Sequence, residues 1–400
     1  MEESNDVAIM ASILSLLLQE EEENDQRIQR NNKRKARWAS YTPKERDERI
    51  RSMPRPSLLL PVDSPWLATY KSGSDRALIT LTGLNFVAFE RLHAEFKVYF
   101  DGYSPYGNDG RIRMTNPLET RGRKRIVKSH ACLGLVLMWT RTTCQYWVLS
   151  TTFGFTGTTC SDWLRFGKRI LLHVLCSRPE AQVKLPDATK IAQYRTAIAA
   201  KHPALKNVAY SGDGLKILLQ KPGDDKTQEA FYNGWKSGHY ITNVLVFAPD
   251  GTIVMGMLNC PGSMHDSELA SKGSPSIYHK IDMMYEQYGA VCVMDSAFAA
   301  STKPSIIKSK KRETITTTAQ TPEEYDILVQ AVSLRQSSEW GMRALQGAFA
   351  RLKAVWPYEE RDERLWGLNI ITLLHNYAAN NMDLNQIRRV YWQELYGRNG

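Results

Sequence analysis

The stretch "YSGDGLKILLQKP", residues 210–222, decides the fold because it places a carboxylate in what otherwise has the composition of a buried strand. The longer segment from Asn207 to Gln220 is strand-like, and Asp213 lies in its middle. An ionised carboxylate is unfavourable in such a place unless a cation balances its charge. We therefore infer that Asp213 binds a metal ion together with a second acid.

The segments that follow predict an α/β fold. "YITNVLVFAPDGTIVMGML", residues 240–258, has the pattern of two strands joined by a hairpin turn at Pro249, Asp250 and Gly251. "NCPGSMHDSELASKG" turns into a helix, and "YGAVCVMDSAF" gives a short apolar strand of the kind found in the centre of a sheet. Helices follow from about Thr321. This order is typical of RNase H-like nucleases, so residues 200–385 are predicted to form such a domain, with a mixed five-stranded sheet and flanking helices.

Two acids are predicted to converge at one edge of that sheet. Asp213 lies on the first strand and Asp295 directly after the fourth, and these two strands are neighbours in the architecture. Two carboxylates within a few ångströms repel each other strongly unless divalent cations lie between them. Glu339 is the candidate for a third ligand, on a helix where Arg335 and Arg343 flank it at four residues on either side. The alternative for Glu339 is an ordinary intrahelical salt bridge.

The region before the sheet, residues 75–185, is predicted to be helical and to contain a helix-turn-helix at about 130–176. A helix, a short helix, a turn at "GFTG" and a third helix follow one another there, with Thr158, Thr159 or Ser161 as the cap of the third. The alternative is a three-helix packing unit without a role in DNA binding. The residues of this region that we expect to contact DNA are Arg121, Arg123, Lys124, Arg125, Lys128, Thr158, Thr159, Lys168 and Arg169.

Composition limits the other possibilities. Fifty-two Lys and Arg against 42 Asp and Glu give a formal charge of +10, which favours a polyanionic partner, although a merely solvated surface has the same balance. Six scattered cysteines without a CxxC pair support neither a disulfide framework nor a zinc ribbon. Residues 1–60 have the charge blocks and prolines of a disordered acidic and basic tail followed by a linker. Lys33–Arg37 is a nuclear import signal, a phosphate-binding arm or merely a solvated run of charges, and we expect a nuclear protein without a membrane span.

Taken together, the motifs resemble the PIF/Harbinger transposase family over roughly residues 125–380. They are "GDGLKI", "NCPGSMHDSEL", "VMDSAF" and "RQSSEWGMRALQGAFARLK", in this order after the helix-turn-helix segment. Two features depart from the family pattern: "DSAF" replaces Asp-Ser-Gly-Tyr, and the expected lysine is displaced to Lys353, with Gln346 at its usual place. The displacement suggests a helical insertion after Glu339.

The resemblance implies a transposase that cleaves DNA and transfers strands at transposon ends. It implies two Mg²⁺ or Mn²⁺ ions held by Asp213, Asp295 and Glu339, with Asp266 as a fourth acid near them. It also implies double-stranded DNA as substrate, a Myb-like DNA-binding partner protein and a homo-oligomer. Phosphate contacts are expected from Arg335, Arg343 and Lys353.

Several alternatives remain open at this point. Asp266 has a second interpretation as part of a capping box with Ser263 as N-cap. His265 either orients an acid or a phosphate, or is a packed histidine. The whole chain has a second interpretation as a domesticated, catalytically silent DNA-binding or scaffold protein. A ribonuclease of the same fold is disfavoured, because a helix-turn-helix suits B-form DNA better than A-form RNA.

Overall fold

The computed structural model describes residues 55–104, 113–114, 125–298, 304–310 and 312–397, and the single positions 29, 32 and 36. Most of the predicted tail and linker, including the Lys33–Arg37 block apart from one position, lies outside the described residues. The same holds for Arg121, Arg123 and Lys124, so their predicted contacts with DNA stay predictions.

Helices dominate the first half of the described chain. They are α1 (Pro65–Ser72), α2 (Asp75–Thr82), α3 (Phe86–Gly102), α4 (Ser129–Arg141), α5 (Tyr146–Phe153), α6 (Gly157–Ser177) and α7 (Ala188–Lys201). Short 3₁₀ turns at Arg55–Ser57 and Pro61–Asp63 precede them, and β1 (Tyr103–Ser104) pairs antiparallel with β2 (Arg113–Met114). No helix in the described part of the chain is long and apolar enough to cross a membrane.

Helices α4, α5 and α6 have the order and lengths predicted for the helix-turn-helix segment, but the predicted cap is wrong. Thr156 is the N-cap of α6 and its hydroxyl accepts a hydrogen bond from the Thr159 N–H, whereas Thr158, Thr159 and Ser161 lie within the helix. Gly154, with φ of +69°, ends α5 two residues earlier. The turn is therefore shorter than the sequence suggested, because the glycine reverses the chain in a single left-handed residue.

A mixed sheet of six strands forms the centre of the second half in the described residues, so the predicted number of five is wrong by the two-residue strand Tyr232–Asn233. Its strands are β3 (Val208–Leu218), β4 (Tyr232–Asn233), β5 (Gly238–Phe247), β6 (Ile253–Pro261), β7 (Val291–Met294) and β8 (Ile306–Lys308). The order across the sheet is β6–β5–β3–β7–β8, with β4 paired to the start of β5. Strand β5 is antiparallel to β3 and β6, while β7 is parallel to β3 and β8. The predicted hairpin is confirmed, with Gly251 at φ of +84° in the turn between β5 and β6.

Helices cover the sheet on both faces. Those of the second half are α8 (Asp225–Phe231), α9 (Asp266–Ser271), α10 (Ile277–Tyr288), α11 (Arg312–Thr318), α12 (Pro322–Ala348), α13 (Arg361–Asn381), α14 (Gln386–Tyr391) and α15 (Gln393–Tyr396). A 3₁₀ turn at Ala350–Lys353 follows α12.

Two hydrophobic cores lie on the two faces. Leu215 and Ile217 of β3 belong to a core that also contains side chains of α12, α13 and the helices α1 to α6. Tyr210 belongs to the other core, with side chains of α7, α9 and α10. We call these the α12 face and the α10 face. The helical region thus shares the core of the α12 face, and it packs against α13 and the 3₁₀ turn at Ala350–Lys353.

Candidate active site

Asp213 and Asp295 lie on the same face of the sheet, at the point where the parallel pairing of β3 with β7 ends. Gly212 pairs with Met294 in the β3–β7 ladder, so each acid directly follows one member of a paired position. Adjacent strands lie about 4.8 Å apart, which puts the two backbones close together at this edge. Val293 belongs to the core of the α12 face, and by strand alternation Asp295 continues on that face. The prediction that the strands carrying the two acids are neighbours is confirmed.

The α12 face is also the one to which Asp213 points. Ser211, two residues earlier on β3, makes a hydroxyl–hydroxyl hydrogen bond of 2.9 Å with Ser337 of α12. Asp213 is the next residue on this face, and its Oδ1 accepts a hydrogen bond from the Gly214 N–H at 2.8 Å. The strand thus directs one carboxylate towards α12, the helix that carries Glu339.

Burial raises the pKa of Asp213 to about 6. The Gly214 N–H lowers the pKa, while the neighbouring Asp295 raises it further; Arg335 lowers it and Glu339 raises it. The three acids are therefore close enough to interact electrostatically. Desolvation and the neighbouring negative charges destabilise the ionised form of Asp213, and a bound divalent cation would stabilise it.

Arg335 provides the positive charge that this structure places among the acids. Its Nη2 lies 2.7 Å from Oε1 of Glu339, one turn later on α12, and its Nη1 lies 3.7 Å from Oδ1 of Asp295. The side chain of Arg335 is 27% exposed, that of Asp295 is 35% exposed and that of Glu339 is 32% exposed. The salt bridge that was the alternative for Glu339 therefore exists, and it extends to an acid from the sheet.

Asp266 approaches the site from the α10 face. A Cβ added to Gly214 would lie only 2.6 Å from Oδ2 of Asp266, so the glycine makes room for this carboxylate. Burial raises the pKa of Asp266, Lys216 of β3 lowers it, and Asp295 raises it. Its Oδ1 is buried and has no hydrogen-bond partner within the described chain. Asp266 is thus near Asp295 but is separated from the face of Asp213 by the strand itself.

The capping box predicted for Asp266 is wrong. The N-cap of α9 is His265, which makes no side-chain cap, and the helix begins at Asp266. Ser263 instead donates its hydroxyl to the carbonyl of Ala230 at 2.7 Å. His265 is exposed and close enough to Asp266 to lower its pKa, so it is not a packed core histidine.

Residues 212–376 match the family model of the DDE superfamily endonucleases. The matched segment begins one residue before Asp213 and contains Asp266, Asp295 and Glu339 as well. A crystal structure described as a pre-cleavage Mos1 transpososome is similar at 10% identity, over 65% of this chain and 79% of that chain, with a TM-score of 0.21. A likeness at this level gives no information about the site. A comparison with curated proteins found no match.

The donor atoms fit a divalent metal ion, although the acids do not converge as a finished ligand set. All four acids offer carboxylate oxygens, which Mg²⁺ and Mn²⁺ prefer. Divalent ions would stabilise two groups on opposite faces of β3, the buried, unpartnered Oδ1 of Asp266 and the desolvated Asp213. As the described side chains stand, no three of His, Cys, Asp and Glu form a cluster that could hold a metal ion. The guanidinium of Arg335 holds Glu339 instead.

Two cations expected to contact DNA pack against α13, Lys168 buried and Arg169 half-buried. Lys168 is 6% exposed, its ammonium is paired with Glu363 of α13, and it lies 4.7 Å from the ring centroid of Trp139. Arg169 stacks over Trp366 of α13 at 4.7 Å. Helix α6 packs against α13 along this side, so these charges stabilise the contact between the helical region and the sheet domain.

Other residues expected to contact DNA are accessible. Lys128 is exposed at the start of α4, and Thr158 is exposed in the first turn of α6. Thr159 is half-buried, with its hydroxyl hydrogen-bonded to Thr156. Arg125 donates to the carbonyls of Phe100 and Tyr103, which ties the basic segment to α3.

Arg343 and Lys353 lie on the C-terminal side of Glu339. Arg343 is exposed near the end of α12, and Lys353 is exposed in the following 3₁₀ turn. Helix α12 is continuous from Pro322 to Ala348, so Lys353 no longer belongs to the helix that carries Glu339. The suggested insertion stays a prediction.

The sequence analysis missed two features, one beside Asp266 and one in the β4–β5 hairpin. Lys216, on the same strand as Asp213, faces the α10 side and interacts with Asp266. Its spacing of three residues from Asp213 places it on the opposite face of the strand, and this signal could have identified it. Trp235 is 90% exposed at the tip of the β4–β5 hairpin, beside the exposed Lys236. Its position between Gly234 and Ser237 is a turn signal that could have identified it.

Proposed function

We propose that the chain is a metal-dependent endonuclease that cleaves DNA, with Asp213, Asp295 and Glu339 as its catalytic acids. One observation carries the proposal: two acids leave adjacent parallel strands on one face, and the third acid is on the helix that packs against that face. The family match over the same segment supports it. The RNase H-like fold predicted from the sequence is in keeping with the strand order β6–β5–β3–β7–β8.

The acids of the site would hold the metal, and the cations around it would hold the substrate. Two Mg²⁺ or Mn²⁺ ions, when bound, supply an activated water and stabilise the leaving 3′ oxygen of a phosphodiester. Asp213 and Asp295 offer oxygens from the sheet, Glu339 offers them from α12, and Asp266 reaches the site from the other face. Arg343, one turn after Glu339 on α12, and Lys353, in the 3₁₀ turn that follows α12, are both exposed and suit the phosphates of a DNA strand.

Within this class, we propose a transposase of the PIF/Harbinger type, as the order of the sequence motifs implies. The second step would be attack of the freed 3′ hydroxyl on target DNA in the same site. A Myb-like partner protein, a homo-oligomer and a nuclear location belong to this proposal and rest on the resemblance alone.

For DNA contact, the proposal relies on the N-terminal end of α6 and on the basic segment before α4. The first residues of a recognition helix are the ones that usually reach base edges, and Thr158 is exposed there. Lys128 would contact phosphates, together with Arg121, Arg123 and Lys124. We leave Lys168 and Arg169 out of this surface because α13 covers them.

A second candidate is the catalytically silent DNA-binding or scaffold protein. The pairing of Arg335 with Glu339 and Asp295 favours it, because the acids are already neutralised in part by a side chain. The four intact carboxylates favour the nuclease instead.

The test is nicking of a duplex that carries the element's own ends, by the full chain and by Asp295→Asn, with Mg²⁺ or Mn²⁺. We expect nicking by the wild type only with metal, and none by the variant, with equal DNA binding by both. Wild-type protein that binds the duplex and leaves it intact with either metal and with its Myb-like partner would establish the silent alternative.

A further inference from the structure

Arg335 occupies a distinctive place between the two elements that carry the acids. Its guanidinium reaches Glu339 on its own helix at 2.7 Å and Asp295 at the end of β7 at 3.7 Å. It also lowers the pKa of Asp213. Within the described chain, no other cation lies within ion-pair distance of Asp295 or Glu339.

The two ends of this ion pair are held with different strength. The contact with Glu339 has the length of a charge-assisted hydrogen bond, while the contact with Asp295 is long for one. Arg335 therefore occupies Oε1, one of the two oxygens that Glu339 offers to a metal ion. A divalent ion can use that oxygen as a ligand only if the guanidinium gives it up.

We propose that Arg335 is an internal competitor of the divalent ion for Glu339, and that it lowers the metal affinity of the DNA-free protein. The inference rests on the proposed function in that it takes the acids to be metal ligands. Without metal, the guanidinium balances part of the charge of three acids and keeps the site folded. With metal, it is displaced from Glu339 and becomes available at the edge of the site, where a phosphate of the DNA would be its new partner.

The proposal predicts opposite effects of removing Arg335 on the two states. Arg335→Gln removes the competing charge, so metal binding should become tighter. The same change leaves the acids unbalanced in the absence of metal, so the melting temperature of the metal-free protein should fall. A side chain that merely positions Glu339 for the metal predicts weaker binding on its removal, so the sign of the change separates the two roles.

The experiment measures binding of Mn²⁺ alone to the full chain without DNA, by the electron paramagnetic resonance signal of the unbound ion. We expect Arg335→Gln to bind Mn²⁺ about tenfold more tightly than the wild type, the factor that corresponds to about 1.4 kcal/mol. Saturating Mn²⁺ should also raise its melting temperature by more than that of the wild type, because stabilisation grows with affinity.

Two further variants serve as controls. Arg343→Gln removes an equal charge from the same helix, on the other side of Glu339, and should change Mn²⁺ affinity by less than about twofold if only contact matters. Arg335→Lys keeps the charge but loses the planar fork, so we expect an affinity between those of the wild type and Arg335→Gln. It still tests the proposal if Arg335→Gln does not fold.

Equal Mn²⁺ affinity of the wild type and Arg335→Gln would overturn the proposal and leave the nuclease assignment intact. Weaker binding by Arg335→Gln would overturn it in favour of a positioning role. Absence of Mn²⁺ binding in every variant would overturn both this inference and the proposed metal-dependent chemistry.

Discussion

Gly214 controls, at the scale of single residues, how closely Asp266 approaches the sheet. A methyl group there would meet Oδ2 of Asp266 at 2.6 Å, whereas a methyl group at Gly212 would meet Met294 at 3.0 Å. Gly214→Ala should therefore displace the carboxylate, since the end of a side chain moves more easily than backbone. We expect the free energy of unfolding to change by less than about 1 kcal/mol, because alanine is tolerated in strands.

If Asp266 contributes to the site, Gly214→Ala should lower the nicking rate as Asp266→Asn does, and Gly212→Ala should not. Denaturant unfolding and the nicking assay on the three variants measure the two effects separately. Full activity of both Gly214→Ala and Asp266→Asn would remove Asp266 from the site.

His130 makes the stability of the helical region dependent on pH. The Trp66 indole N–H donates to Nδ1 of His130 at 3.1 Å, and the Tyr70 ring stacks on the imidazole at 4.4 Å. Burial lowers the pKa of His130 to about 4, while an unfolded histidine titrates near 6.5. Between about pH 6.5 and about pH 4 the histidine is protonated in the unfolded state but neutral in the native state. It therefore destabilises the protein as pH falls through this range.

The free energy of unfolding should fall by at most about 1.4 kcal/mol per pH unit through this single group. The effect should be smaller than this limit because His130 is partly exposed. His130→Gln should lose that slope, and His279→Gln, which changes an exposed histidine of α10, should keep it. Urea unfolding of the three proteins at pH 7, 6 and 5 compares them. An unchanged slope in His130→Gln would contradict the assignment of a neutral, half-buried imidazole.

At the scale of elements, the contact between α6 and α13 turns two expected DNA contacts into structural ones. Burial would raise the pKa of Glu363, but Lys168, Arg165 and Arg169 together hold it below its usual value. Lys168→Met should therefore lower stability by about 3 kcal/mol, the usual effect of breaking a buried pair, and leave the DNA affinity of the folded protein unchanged.

Lys128→Gln is the matched change of an exposed cation. It should leave stability within about 0.5 kcal/mol and lower DNA affinity, with the salt dependence reduced by about one phosphate contact. Denaturant unfolding and fluorescence anisotropy at several salt concentrations measure both. A loss of salt dependence in folded Lys168→Met would show that its charge reaches DNA after all.

The helices and strands were largely predictable from the sequence, whereas the contacts between side chains of distant elements were not. The strand around Asp213, the hairpin at Gly251 and the helix of Glu339 follow from local composition and turn residues. Burial of Lys168 does not, because its partner Glu363 lies far along the chain. The same limit explains why the sequence could bring Asp213 and Asp295 together but could not show Arg335 reaching across from α12 to Asp295.

At the scale of the whole molecule, the helical region and the sheet share one hydrophobic core. Leu133 of α4 and Leu171 of α6 are in the same buried cluster as Leu215 of β3 and Leu245 of β5. Trp139 of α4 meets Trp356 edge-on at 5.9 Å, just before α13. The boundaries predicted at 75–185 and 200–385 thus separate parts that bury apolar surface against each other.

A shared core predicts cooperative unfolding of residues 75–385 as one unit. Differential scanning calorimetry of the full chain should show one main transition, and a fragment of residues 200–385 should be unstable because the apolar side chains of α13 that pack against α6 would be exposed. Two well-separated transitions, or a fragment with a native-like melting curve, would show that the sheet domain is independent.

The most direct test of the account is the nicking of duplex DNA by Glu339→Gln. Glutamine keeps the size and hydrogen bonding of Glu339 but removes its charge, while Glu268→Gln removes a charge from an exposed acid of α9 as a control. With Mg²⁺ or Mn²⁺, and with the proposed Myb-like partner present, we predict that Glu339→Gln binds the duplex as the wild type does and nicks it at least about a hundredfold more slowly, about 2.7 kcal/mol on the barrier. Glu268→Gln should nick normally. Wild-type nicking by Glu339→Gln would contradict the account, because Glu339 would then be only the salt-bridge partner of Arg335.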